Sequence, residues 1–190
     1  MKYVFIDCGF YVGRAIQWFL KTEAGQAHNW DVHAFEVCLH QEHMDKFESV
    51  TFHKEAVWIC DGEMDFYSSG RRRGQANGLF SNPRGRGSKK GEKIRKAKCV
   101  DFSKWLNDNF SSDDHIVIKM DIEGAEYEVL QKMINDKTIG MINKLYVEWH
   151  LREDLDLEEF IGPFKTKLKK YIAYDNKSFN RNRKKKKVVS

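Results

Sequence analysis

A chain of 190 residues and 22.4 kDa is long enough for one buried core and short for two, and its 41% hydrophobic and 13% aromatic content excludes a solvated, disordered polymer. No apolar run reaches the length of about 18 residues that a helical membrane span needs, and the opening Met-Lys-Tyr-Val-Phe-Ile-Asp-Cys-Gly puts an acid and a glycine where a secretion signal has its apolar stretch. The net charge of +5 conceals a division: residues 71–98 and 165–190 each hold eleven Lys or Arg against one acid, leaving eleven basic and twenty-six acidic residues on the rest, an acidic body with a basic loop and a basic tail.

In chain order, Tyr3 to Ile6 reads as a strand running into Asp7-Cys-Gly9-Phe-Tyr-Val-Gly13, followed by a helical pattern with Ala15, Ile16, Phe19 and Leu20 on one face. Gly9 lets the backbone turn off the strand and Gly13 lets the helix pack close, an arrangement that either shapes a turn or leaves amides for a ligand. The spacing is neither Gly-x-Gly-x-x-Gly nor a phosphate loop. A second strand, Val32 to Phe35, ends in Glu36, where an acid either meets solvent or accepts hydrogen bonds from a ribose. Cys38 to Phe47 is the next predicted helix, Val50 to Phe52 the third strand, and His40 and His43 mark a solvated face. Ala56 to Ile59 and Met64 to Tyr67 flank Cys60-Asp61-Gly62-Glu63 and predict an antiparallel hairpin with an Asp-Gly turn.

From Ser68 to Lys98 glycines and basic residues replace apolar periodicity, which predicts an exposed loop suited to an anionic substrate or nucleic acid; Phe80 is its only aromatic residue, a poor stacking platform. Ile94 to Val100 forms a short strand within that stretch and Phe102 to Phe110 a helix. Next comes the most informative segment: the apolar strand Ile116 to Ile118, then Lys119-Met-Asp121-Ile-Glu123-Gly124-Ala125-Glu126, then a helix continuing through Met133 and Ile134. Carboxylates at the carboxyl end of a buried strand mark the ligand edge of an α/β sheet. Lys144 to His150 supplies a fifth strand ending in Glu148 and His150, Leu151 to Leu168 a helix interrupted near Gly162-Pro163, and Tyr171 to Tyr174 a last strand; residues 1–175 form one domain and 176–190 a disordered basic tail. Four separated cysteines, Cys8, Cys38, Cys60 and Cys99, fit reduced thiols in a cytoplasm better than a zinc or disulfide framework.

Asp7-x-Gly9-x-x-x-Gly13, Glu36, the Lys119 to Glu126 segment and Val147-Glu148-Trp-His150, taken together, resemble the FkbM family of S-adenosylmethionine-dependent methyltransferases over residues 3 to about 150. The resemblance implies a Rossmann-like class I methyltransferase sandwich: a mostly parallel central sheet, helices on both faces, and here a shortened last hairpin. It further implies methyl transfer to a hydroxyl of a saccharide or related small molecule. Carried over, Asp7, Gly9, Gly13 and the backbone of Phe10 and Tyr11 would hold the amino acid end of S-adenosyl-L-methionine, Glu36 the ribose, Val37 the adenine face, and Glu55 with Ala56 the adenine edge. Asp121 would lie nearest the methyl group.

Such a reaction needs an aligned acceptor oxygen and a base for its proton. Asp121 or His150 fills the second role, with Glu148 orienting His150 and Lys119 easing charge near Asp121; alternatively Asp121, Glu148 and His150 hold a divalent cation, although the metal-free route is preferred. The chain starts at the first strand, so the 68–98 loop, or another subunit of a homo-oligomer, would cover the site. Two other readings remain open: an RNA ribose 2′-O-methyltransferase using the basic loop and tail, and a non-catalytic polyanion-binding module.

Overall fold

In a computed structural model, residues 1–68, 78–80, 92–150, 162–169 and 172–174 are described. Six strands form one sheet: β1 (Tyr3–Cys8), β2 (Trp30–Phe35), β3 (Val50–His53), β7 (His115–Met120), β8 (Ile142–Val147) and β9 (Ile172–Tyr174), in the order β3-β2-β1-β7-β8-β9 with every pairing parallel. Three strands, β4 (Ala56–Trp58), β5 (Gly62–Ser68) and β6 (Glu92–Asp101), form a second sheet in the order β4-β6-β5. The helices are α1 (Arg14–Phe19), α2 (Glu23–Ala27), α3 (Gln41–Met44), α4 (Phe102–Asn109), α5 (Glu126–Asn135) and α6 (Gly162–Leu168).

Strands buried on both faces read as continuous apolar runs because side chains alternate between two cores. Val4, Ile6 and Cys8 of β1 join Ile116, Ile118 and Met120 of β7 in a core that includes Leu106 of α4, Leu130 of α5, Phe164 and Leu168 of α6, and Val57, Phe66 and Ala97 of the small sheet. Phe5 and Val117 point the other way, to Ile16 and Phe19 of α1, with the Phe5 and Phe19 rings stacked 4.0 Å apart. This is the expected Rossmann-like α/β sandwich with both faces covered. The strand order reverses between β1 and β7, the switch point at which such sheets hold ligands. β9 adds directly to β8 in parallel; the expected shortening of the last hairpin concerns the tail after 174, outside the described residues.

The predicted 56–67 hairpin does not form. β4 and β5 are not neighbours, because β6 lies between them, parallel to β4 and antiparallel to β5, with Cys99 opposite both Ala56 and Gly62. The Asp-Gly signal is local, and a ten-residue strand that buries Ala97 and Cys99 outcompetes it. The true hairpin is β5-β6, and Arg95, Lys96 and Lys98 sit on β6, which contains the expected Ile94 to Val100 strand and extends it at both ends to Glu92–Asp101. The helix expected over 38–47 is reduced to the single turn α3, and β8 begins at Ile142, before the expected Lys144. The expectations for 151–161, for most of the basic loop and for the tail after 174 fall outside the described residues.

Candidate active site at the strand tips

Four strand tips, those of β2, β1, β7 and β8, meet around the switch point. Backbone pairing continues past the strands: Gly9 N and Phe10 N both donate to Phe35 O (3.0 and 3.1 Å), Asp121 N to Cys8 O (3.0 Å), and Glu148 N to Met120 O (2.8 Å). Gly9 has φ +91°, and a Cβ there would lie 1.9 Å from the Asp121 carbonyl oxygen, so the first turn can approach the β7 turn only as glycine. Gly13, at φ +75°, faces the Phe47 and Phe10 rings at distances no Cβ tolerates, which seats α1.

Lys119 joins these turns electrostatically. Its Nζ donates to Gly9 O at 2.9 Å and lies 3.0 Å from Asp7 Oδ1 and 3.4 Å from Asp121 Oδ2. Burial disfavours the ammonium, but Asp7 and Asp121 more than reverse that, and the Lys119 pKa stands well above its ordinary value. Asp7 is fully buried, and its Oδ2 meets no hydrogen-bond partner among the described residues. Burial pushes its carboxyl up to about 6, against the pull of Lys119; the charges of Asp121 and Glu36 add to the rise, which puts all three acids within one field.

On the β2 side, Glu36 accepts from Tyr11 N through Oε2 (3.0 Å) and from Cys38 N through Oε1 (2.8 Å), tying the glycine turn to the end of β2. Each oxygen keeps a lone pair for a further donor. The Phe10 ring is in the core and its amide is already engaged, so within this turn it supplies shape. Val37 and Ala56 are buried in the larger core, and Glu55 pairs with Lys98.

The other side of the switch point is built from the β7-α5 turn and the residues after β8. Glu123 (φ +55°) and Gly124 (φ +105°) reverse the chain so that Glu126, fully buried at the start of α5, accepts from Ile122 N and Gly124 N at 3.0 Å each. Glu126 Oε1 also accepts from His150 Nδ1 at 2.9 Å, while His150 Nε2 lies 3.3 Å from Glu123 Oε2 and 3.7 Å from Asp121 Oδ1. Burial works against a charged ring, but the hydrogen bond and charge of Glu126, followed by Glu123 and Asp121, raise the His150 pKa to about 9. His150 is therefore an imidazolium at neutral pH. Both ring nitrogens face carboxylates other than the expected Glu148, which is exposed just past β8; the carboxylate at Nδ1 is that of Glu126.

Asp121, Glu123 and His150 each offer a ligand atom within 4.8 Å of the others, so a divalent cation at this point would draw on Glu123 and not on the expected Glu148. The basic segment reaches the site at one described point. Gly78 pairs with Tyr67, and a Cβ on Gly78 would sit 3.1 Å from Glu123 Cβ.

Two functional candidates escaped the sequence reading, Glu123 and Glu126, although both lie inside the segment that carried the resemblance. An acid at the first helical position reads as a dipole partner, and only the adjacency of β7 and β8 gives it a histidine.

Searches of curated proteins and of solved structures found no significant match. The model of the methyltransferase FkbM domain matches residues 7–171, which takes in every strand tip described above. The chain belongs to the FkbM methyltransferase family.

Proposed function

We propose that this chain transfers a methyl group from S-adenosyl-L-methionine to a hydroxyl oxygen of a saccharide or related small molecule. The donor set fits that cofactor: among the described residues, Asp7, Glu36, Asp121 and Glu123 gather at one sheet edge against one buried ammonium, Lys119, and one imidazolium, a surplus of negative charge suited to a sulfonium and an α-ammonium. Glu36, with its remaining lone pairs, would receive the ribose hydroxyls, the Gly9 to Gly13 turn the amino acid end, and Val37 the adenine face. When bound, the cofactor supplies a methyl group already activated as a sulfonium. The protein's remaining task is to align the acceptor oxygen and take its proton.

One observation carries the assignment of the base. Carboxylates stand at both ring nitrogens of His150 and favour its protonated form, which has no lone pair to offer, whereas Asp121 is partly exposed and has one oxygen toward Lys119 and the other toward His150. Asp121 takes the proton, Lys119 fixes its orientation, and His150 limits the negative charge that collects beside Glu123. Lys119 itself is enclosed by Asp7, Gly9 and Asp121 and is not available as a free catalytic ammonium, which favours the small-molecule reading over ribose 2′-O-methylation of RNA. The test is labelled methyl transfer to a glycan panel beside RNA. Label on glycan hydroxyls supports the reading; label confined to RNA, with binding that weakens steeply as salt rises, would replace it.

A further inference from the structure

We propose that Glu126 is a positioning residue for the transfer reaction: it holds His150 by Nδ1 so that the Nε2 side of the ring stays set against Asp121 and Glu123. The role in transfer rests on the O-methylation reading above, whereas the contact itself does not. A fully buried carboxylate is costly unless its oxygens are well supplied with donors. Glu126 has three: Ile122 N, Gly124 N and His150 Nδ1.

The first two donors staple the turn to which Glu126 belongs, and a staple needs nothing more. The third comes from beyond β8, 24 residues later in the chain, and ties the start of α5 to the chain leaving β8. Nδ1 fixed from behind leaves the ring one orientation, and Nε2 then faces the two carboxylates of the β7 turn. The neighbouring Trp149 is itself buried, with its ring 5.2 Å from that of Tyr127 on α5, so the backbone at this point is anchored on the same helix as Glu126. Among the described residues, the charged groups facing His150 are Glu126 from α5 and Asp121 and Glu123 from the turn, with Lys119 behind Asp121. Movement of the ring by about 1 Å from this geometry is enough to cost on the order of 10²-fold in rate.

Glu126→Gln offers one acceptor oxygen to three donors, so it loosens His150 while keeping the side-chain shape. Expected for this variant are unchanged binding of S-adenosylhomocysteine, kcat lower by about 10–100-fold and KM nearly unchanged. In a His150→Gln background the same substitution should cost little further, because its effect passes through the ring. A loss of equal size in both backgrounds, or no loss in either, overturns the proposal. Nitrogen-detected NMR of the histidine ring at pH 7.5 adds a readout independent of turnover: Nδ1–H bonded in the wild-type chain and released in Glu126→Gln supports the contact, and identical spectra overturn it. Should the wild-type chain methylate no acceptor, the O-methylation reading fails and this spectrum alone decides the Glu126 contact. Should Glu126→Gln not fold, the wild-type spectrum decides it, since a ring without a proton on Nδ1 contradicts the geometry.

Discussion

Asp121 lies between two cations that differ in kind. Lys119 approaches Oδ2 at 3.4 Å from inside the sheet, enclosed by Asp7 and the Gly9 carbonyl; His150 approaches Oδ1 at 3.7 Å from the chain after β8, anchored by Glu126. The first keeps its charge at any pH the fold survives, because the neighbours that bury it are acids. The second keeps its charge only while a proton stays on a ring whose pKa is about 9. One side of the site is thus fixed by burial and the other adjustable by pH, and each can be broken separately.

Removing the fixed cation should have the largest effect on stability. Lys119→Ala leaves Asp7 buried without its counter-charge, and breaking a buried pair from one side costs about 3–5 kcal/mol. Urea unfolding should show that loss at pH 7 and above, and a smaller one near pH 5, where Asp7 takes up a proton in the folded state. A loss independent of pH would mean that the pairing with Asp7 is not what Lys119 contributes.

The adjustable cation is tested next by pH alone. The folded pKa of His150, about 9, is above the ordinary 6.5, so its stabilisation is complete below pH 6.5 and is lost as pH rises through 9, on the order of 3 kcal/mol in all. The urea midpoint should fall across that window in the wild-type chain and fall much less in His150→Gln. The smallest effect sharpens the contrast between buried and surface pairs: Lys104 and Asp108 form an i,i+4 pair on the exposed face of α4, and Lys104→Ala should leave the midpoint where it was.

How much of this was legible beforehand follows the range of the interactions. β1, β2, β7 and β8 could be read because each is a local apolar run, and the glycines at 9 and 13 because a turn off a strand demands them. Position places the acids Asp7, Glu36 and Asp121 at strand tips, where the structure has them, and only the family resemblance proposes roles for them. What failed was decided by partners distant in sequence. The Asp-Gly at 61–62 looked like a hairpin turn until β6, some thirty residues later, took the place between its arms. Glu126 looked like a helix-start acid, and Glu148 like the partner of His150, because alternation along one strand cannot reveal a carboxylate that reaches across from the neighbouring element. The charge state of His150 was hidden for the same reason, since it depends on three carboxylates that meet only after folding.

If Asp121 receives the acceptor proton where β1 and β7 part, labelled methyl transfer by Asp121→Ala should fall by about 10²–10⁴-fold, while calorimetry still finds S-adenosylhomocysteine bound and the fold stays intact. Unchanged turnover in that variant would contradict that role for Asp121.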